Sequence, residues 1–212
     1  YQLKIIFDRE KTGFEDEREM KIVINEVLAG RFQILSLLGE AQFSKAIEVM
    51  DLTSPNQKQR YCLKMILNNK DYMDQALDEV KLLRYIKANC NPDEASIIHM
   101  HDFFYHREHL MIQTELLKEN LYDVYRQNPQ YFTMPRLQKV AKQILTALAT
   151  MHRLHLIHND LKPENILIKS YSKDQIKVID VGSSVFFHDD LHFYVQTRNY
   201  RAPEIILGCP YT

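Results

Sequence analysis

Apolar residues change their spacing along this chain, and that change restricts the fold more than any other feature. The runs Phe32–Leu38, Lys45–Met50 and Gln59–Ile66 are short and rich in β-branched, aliphatic and aromatic residues. Gly39 and Thr53-Ser54-Pro55-Asn56-Gln57 stand between them as turns. From Asp71 to Asn89 the apolar positions Met73, Ala76, Leu77, Val80, Leu83 and Ile86 recur mostly at three and four. That spacing predicts an amphipathic helix, with Asp71 as its N-cap. Strand texture returns over Ile98–Tyr105 and Leu110–Glu115, across the polar turn His106-Arg107-Glu108. A helical period opens at Pro135 and carries Leu137, Val140, Ala141, Ile144, Leu148 and Met151 to about His155. Ile166–Ile168 and Ile176–Ile179 read as a small hairpin. Strands, one helix, strands and then mostly helix predict an α+β fold in two unequal lobes, the first rich in β-structure.

Composition narrows the class without naming a function. The 212 residues suit one domain or two small ones. The formal charge of −1 weighs against a dedicated binder of nucleic acid or of an anionic membrane. No apolar run approaches the roughly 18 residues of a membrane helix, and the charged first thirty residues are unlike a signal peptide. Three cysteines, Cys62, Cys90 and Cys209, cannot all pair with one another and show no CxxC spacing. A reduced intracellular compartment, cytoplasm or nucleus, is the expectation. Residues 1–30 mix charge with the apolar bursts Ile5-Ile6-Phe7 and Ile22-Val23-Ile24 and read as a surface arm.

The chemistry concentrates in His158-Asn159-Asp160-Leu161-Lys162-Pro163-Glu164-Asn165, where a carboxylate, an ammonium and a carboxamide fall within six residues just after a helix. Ile179-Asp180-Val181-Gly182 follows, an Asp leaving a short strand into a Gly turn, and then Ala202-Pro203-Glu204. Upstream, Lys64 lies in a strand-like run and Glu79 in the next helix. Glu79 shares a helical face with Tyr72, Ala76, Leu83 and Ile86, so the pattern turns a carboxylate toward the apolar side, where it needs a partner. Taken singly, each of these residues is ordinary: a surface charge, a turn former, a loop cap. In this order and spacing they resemble the eukaryotic protein-kinase signature. His152, His155 and His158 recur every three residues, but no Cys or carboxylate converges with them as a metal site would require, and His158 belongs to the kinase motif.

That resemblance implies a bilobal kinase fold that uses ATP and Mg²⁺. Residues 31–115 would be the small lobe and 116–212 the first half of the large lobe, through the activation segment. Phosphoryl transfer asks the protein mainly to position the reactants and neutralise charge. By resemblance, Asp160 accepts or orients the proton of the substrate hydroxyl, and Lys162 meets the transferring phosphate. Asn165 and Asp180 are hard oxygen ligands for Mg²⁺. Lys64 holds the α and β phosphates, and Glu79 holds Lys64. Leu38, Gly39, Ala46, Cys62 and Leu167 would enclose the adenine and phosphates, with Thr114 at the gatekeeper position before Glu115-Leu116-Leu117.

Three departures carry information. Of the family's G-x-G-x-x-G loop only Gly39 remains in Gly39-Glu40-Ala41-Gln42-Phe43-Ser44. Asn159 stands before Asp160 where many kinases have Arg, and the turn is Asp-Val-Gly rather than Asp-Phe-Gly. With Asn120-Leu121-Tyr122-Asp123 and the run Tyr194 to Gly208, these features look like the dual-specificity tyrosine-regulated kinases (DYRK). Lys11-Thr12-Gly13-Phe14, Phe43-Ser44-Lys45 and Leu116-Leu117 resemble their plant and protist branch. His192-Phe193-Tyr194 keeps one of the two activation-loop tyrosines of the animal enzymes. The resemblance makes Tyr194 the autophosphorylated residue, with Arg198 and Arg201 as its charge partners. The substrates implied are Ser and Thr of other proteins. The altered loops leave a rival reading, a pseudokinase scaffold that binds nucleotide or partners without efficient transfer. A third reading, an unrelated binding module, needs the motif order to be accidental. On the kinase reading the chain would carry a complete small lobe and about half of the large one, and would leave apolar faces of the helix at 135–155 uncovered.

Overall fold

The computed structural model describes residues 2–8, 20–55, 59–189 and 194–211. Lys11–Phe14, Asn56-Gln57 and His192-Phe193 lie outside the described residues. Two compact units are present, Tyr1–Val80 with Met100–Leu116, and Lys81–His99 with Leu117–Thr212; the division falls inside one helix.

The first unit is built on one sheet of β1 (Lys4–Ile6), β2 (Val27–Leu28), β3 (Phe32–Glu40), β4 (Ser44–Asp51), β5 (Arg60–Ile66), β6 (Met100–His106) and β7 (His109–Glu115). Their spatial order is β1-β6-β7-β5-β4-β3-β2. Only β1 with β6 is parallel; the other pairs are antiparallel. β5 is thus the central strand, held on both edges. Its residues Tyr61, Leu63 and Met65 enter a core with Phe32, Ile34, Ile47, Val49, Phe104 and Met111. Side chains alternate along a strand, so Cys62 and Lys64 take the other face.

Of residues 1–30, the described stretches 2–8 and 20–30 lie against the sheet. Met20 is 2% exposed and Leu28 fully buried, and β1 and β2 are strands of the sheet. Two buried histidines of the β6–β7 hairpin hold this segment. The His106 ring donates from Nδ1 to the Ile6 carbonyl at 2.9 Å and accepts at Nε2 from the Ala29 amide at 3.2 Å. His109 donates in the same way to the Ile66 carbonyl at 2.8 Å and accepts from the Met20 amide at 3.0 Å. One nitrogen donating and one accepting is the pattern of an uncharged imidazole. Arg107 between them pairs with Asp8 at 2.7 Å and Glu26 at 2.6 Å. Two- and three-residue strands carry too little period to be read in isolation, and the histidines that hold this segment lie 77 to 100 residues further along the chain.

Helix α1 (Lys70–Asn89) starts one residue earlier than expected. Its cap is Asn69 rather than Asp71: the Asn69 carboxamide oxygen accepts from the Asp71 amide at 2.8 Å and the Tyr72 amide at 3.4 Å. An Asn and an Asp two residues apart offer the same chemistry, and only the backbone decides between them.

The second unit contains α2 (Leu121–Gln127), α3 (Met134–Arg153), β8 (Leu156–Ile157), β9 (Ile166–Ser170), β10 (Gln175–Val178), β11 (Val185–Phe186) and α4 (Pro203–Ile206). β9 and β10 form the expected antiparallel hairpin. Ile166, Ile168 and Ile176 pack with Leu121, Val124 and Val140. The hairpin turn is tied to α3 by Asp174, which accepts from Arg136 at 3.1 Å and Lys139 at 2.7 Å. On the other side β10 pairs with the segment after α1 through Ile97 and Val178. Buried Lys177 reinforces that edge, donating to the Pro92 carbonyl at 2.7 Å and the Ile97 carbonyl at 2.9 Å. α3 leaves Met134, Leu137 and Leu145 exposed. Cys62, Cys90 and Cys209 form no disulfide. Among the described residues no helix is long and apolar enough to cross a membrane.

Candidate active site

In the first unit, sheet register groups residues on one face. Ala46 lies opposite Lys64 and also opposite Gly39, and Cys62 lies opposite Thr114. Residues opposite each other in a ladder project to the same side, so Ala46, Cys62, Lys64 and Thr114 share the face away from the core. Glu115 follows Thr114 at the end of β7, opposite Tyr61. Leu38 is 47% exposed on β3, beside Gly39. The Lys64 ammonium reaches the Glu79 carboxylate at 2.7 Å. Glu79 is 8% exposed, between Ala76 and Leu83 on the buried side of α1, as its helical register predicts. Burial pushes the Cys62 thiol up, which suits an apolar wall rather than a nucleophile.

The loop after Gly39 has a definite shape. The Ala41 amide donates to the Ser44 carbonyl at 2.8 Å, closing a tight turn. Glu40 and Lys45 face each other across it at 3.6 Å. Gly39 itself is in extended backbone, with nothing within 4 Å of where a Cβ would stand.

In the second unit, the residues from His158 to Asn165 hold one another. The Asp160 carboxylate accepts from Lys162 at 2.7 Å, from the Thr197 hydroxyl at 2.7 Å and from the Thr197 amide at 3.2 Å. The Asn165 carboxamide nitrogen donates to the Asp160 carbonyl at 2.8 Å and to its carboxylate at 3.2 Å. Those bonds take up the Asn165 Nδ2 and leave Oδ1 as the acceptor end of the carboxamide. Burial raises the Asp160 carboxyl, but the donors Lys162 and Thr197 outweigh it and leave it below its ordinary value. Asp160 is therefore a carboxylate at neutral pH.

His158 links the two ends of the motif. Its Nε2 donates to the Ile179 carbonyl at 3.1 Å, and its Nδ1 accepts from the Asp160 amide at 3.2 Å. The Ile179 amide in turn donates to the Asn165 carbonyl at 2.9 Å. The ring thereby joins the residue before Asp180 to Asp160. Asp180 has left-handed backbone (φ 62°), a conformation Asp tolerates better than most residues, and it starts a short turn whose Val181 is fully buried. An aliphatic side chain thus fills the place of the family's aromatic. His152 and His155 instead pack on Phe187, each with ring centroids 5.8 Å away. Among the described residues no three His, Cys, Asp or Glu side chains converge as a metal centre.

Burial pushes the His158 imidazole down. A base whose folded-state pKa is depressed stabilises the fold fully above its unfolded value of roughly 6.5, and less as pH falls below it. Thermal stability is expected to fall between pH 7 and pH 5. His158→Asn, which keeps a donor and an acceptor but does not titrate, should flatten part of that slope. An unchanged slope would count against this assignment.

Thr197 is a residue that sequence reasoning missed. Its hydroxyl donates to Asp160 and accepts from Lys162 at 2.9 Å, bridging the two charged groups. Nothing local marks it, because it lies 37 residues from Asp160. Thr197→Val removes a hydrogen bond to a charged group, an effect of about 1.5–3 kcal/mol. The turnover rate should fall roughly ten-fold or more, and Thr197→Ser should restore it. Turnover unaffected by Thr197→Val would remove this role.

Of the remaining candidates, Leu167 points away from the β9 core and is half-buried, as is Leu117. Tyr194 is 83% exposed. The Arg201 guanidinium lies 4.7 Å over its ring and donates to the Val195 and Gln196 carbonyls. Arg198 is exposed in the next turn. Pro203 opens α4, whose Ile205 is buried.

Residues 32–212 match the family model described as "protein kinase domain". Among curated proteins, "probable serine/threonine-protein kinase dyrk2" of Dictyostelium discoideum is 41% identical over 201 residues, covering 94% of this chain and 22% of the relative. "Dual specificity tyrosine-phosphorylation-regulated kinase 3" of Rattus norvegicus is 38% identical over 94% of this chain and 34% of its own length. "DYRK-family kinase pom1" of Schizosaccharomyces pombe is 37% identical over 94% of this chain and 18% of its own. The chain thus spans about a fifth to a third of the length of these relatives. A crystallised kinase domain superposes with a TM-score of 0.82 at 26% identity, over 90% of this chain and 62% of that one. The fold is accordingly that of a kinase, and the chain belongs to the protein kinase family, within which it is similar to the DYRK kinases.

Proposed function

We propose that this chain is the ATP- and Mg²⁺-using part of a protein kinase that phosphorylates Ser and Thr of other proteins and Tyr194 of itself. One observation carries the reading: an ionised Asp160 is held by Lys162, Thr197 and Asn165 in one hydrogen-bonded network. Asp160 would take or orient the proton of the acceptor hydroxyl, and Lys162 would meet the charge developing on the phosphoryl oxygens. Lys64, set by Glu79, would hold the nucleotide phosphates beside the apolar face of Ala46, Cys62 and Thr114. Asp180 and the free end of the Asn165 carboxamide are hard oxygen donors of the kind Mg²⁺ takes. The bound Mg²⁺ would neutralise phosphate charge and orient the transferring group.

Phosphorylated Tyr194 would present three acceptor oxygens to Arg201, already against its ring. Arg198 would be its second partner. It would act inside the cell, in cytoplasm or nucleus, a reading supported by its three cysteines without CxxC spacing. The near-neutral charge favours protein substrates over nucleic acid or membrane.

The test is label transfer by the full-length protein. Phosphate from the γ position should appear on Ser or Thr of peptide substrates, require Mg²⁺ and stop on chelation. Nucleotide bound with Mg²⁺ and never transferred would overturn the reading in favour of a scaffold.

A further inference from the structure

The loop that follows Gly39 has lost the glycines that would let its backbone settle around phosphates, so something else must set its position. Two contacts do, and both lead to the start of α1. The Phe43 carbonyl accepts from the Leu67 amide at 3.1 Å. Leu67 lies two residues before Asn69, the cap of α1, and its own carbonyl accepts from the Asn69 amide at 2.7 Å. The Phe43 ring lies against the Tyr72 ring, with centroids 6.0 Å apart and planes tilted by 54°. Separations of this size are where tilted aromatic pairs attract. Tyr72 is half-buried in the first turn of α1. Glu79 follows seven residues later, about 10 Å along the axis at ~1.5 Å per residue, and holds Lys64 at 2.7 Å. The loop tip and the lysine that would hold phosphate are therefore attached to the same rigid helix.

We infer that Tyr72 is a positioning residue for nucleotide, docking the glycine-poor loop onto α1 through Phe43. The tyrosine touches no reacting atom. Its ring fixes the loop where flexible glycine backbone would otherwise adapt, and it does so from the helix that orients Lys64. The inference rests on the nucleotide-binding reading of the first unit. It adds a determinant of affinity outside the motif residues.

A double-mutant cycle on the full-length protein decides it, read by calorimetric binding of Mg·ATP and by steady-state transfer. Tyr72→Ala should weaken Mg·ATP binding and raise its KM by about three- to ten-fold, the size of one aromatic pair, with the turnover number within about two-fold of wild type. Tyr72→Phe, which keeps the ring, should restore wild-type values. Phe43→Ala alters the loop without touching the helix and should give the same rise. The double variant should be no worse than either single one. Losses that add, or wild-type binding in both alanine variants, would overturn the role of Tyr72 and leave the kinase reading standing. Failure of Tyr72→Phe to restore affinity would also overturn it. A wild-type protein that binds no Mg·ATP would overturn that reading and this inference together.

Discussion

Asp160→Asn is expected to lower phosphoryl transfer by about 10²–10⁴-fold, the usual contribution of a positioned general acid or base, while leaving nucleotide binding near wild type. The expectation follows from what surrounds the group. Asp160 receives Lys162, the Thr197 hydroxyl and amide, and the Asn165 carboxamide. Its carboxyl titrates below its ordinary value because those donors outweigh the cost of burial. An Asn of equal size keeps one acceptor oxygen but brings two N–H donors toward partners that are already donors. It removes the charge that Lys162 neutralises and the site to which an acceptor hydroxyl could give its proton. Single-turnover rates at saturating nucleotide isolate this step from binding. A variant that keeps the wild-type rate would show that Asp160 is only a structural link between Asn165 and Thr197.

Lys64→Met should produce the second large loss, roughly 10²–10³-fold in catalytic efficiency, comparable with deleting one pre-organised group that stabilises developing charge. It should also destabilise the fold by about 1–3 kcal/mol, because Glu79 would stay buried without its partner at 2.7 Å. The two effects are separable. Adding Glu79→Gln to Lys64→Met removes the orphaned charge, so the melting temperature should recover while transfer stays lost. If transfer recovered along with stability, Lys64 would be a structural ion pair and not a phosphate ligand. If the melting temperature stayed low, the cost would lie in the packing of the lysine stem on β5.

The contrast between Lys64 and Thr197 shows what the amino-acid sequence could and could not reveal. Glu79 was legible because a helix repeats every 3.6 residues, and its register turns a carboxylate toward Ala76 and Leu83. Lys64 was legible only through the order of the motifs around it, since one Lys in a strand-like run is ordinary by itself. The order of the longer elements, β3 to β5, α1, β6, β7 and α3, followed from the helical and strand periods, and the β9–β10 hairpin from its pair of isoleucine runs, whereas the short α2, β8, β11 and α4 were not read. Thr197 had no such signal. Its contact with Asp160 is made by a chain that returns from a distant turn, and one hydroxyl in a polar stretch looks like any other. The short strands β1 and β2 went unread for a related reason. They are three and two residues long, and the side chains that hold their surroundings, His106 and His109, flank a turn that looks merely polar. In the loop after Gly39 the missing glycines were plain, but the contact of Phe43 with Tyr72 depends on a hairpin and a helix start meeting in space. Local periodicity specifies which face a residue takes; it does not specify which remote backbone arrives there.

The most direct test of the central claim measures binding and transfer side by side in full-length protein, wild type against Asp160→Asn. Mg·ATP affinity is read by calorimetry, and γ-phosphate incorporation by mass spectrometry on a Ser/Thr substrate and on Tyr194. The account predicts equal affinity in both proteins, with phosphate on the substrate and on Tyr194 only in the wild type. Wild-type protein that binds Mg·ATP and transfers none of it, or an Asp160→Asn variant that transfers as fast as wild type, would contradict it.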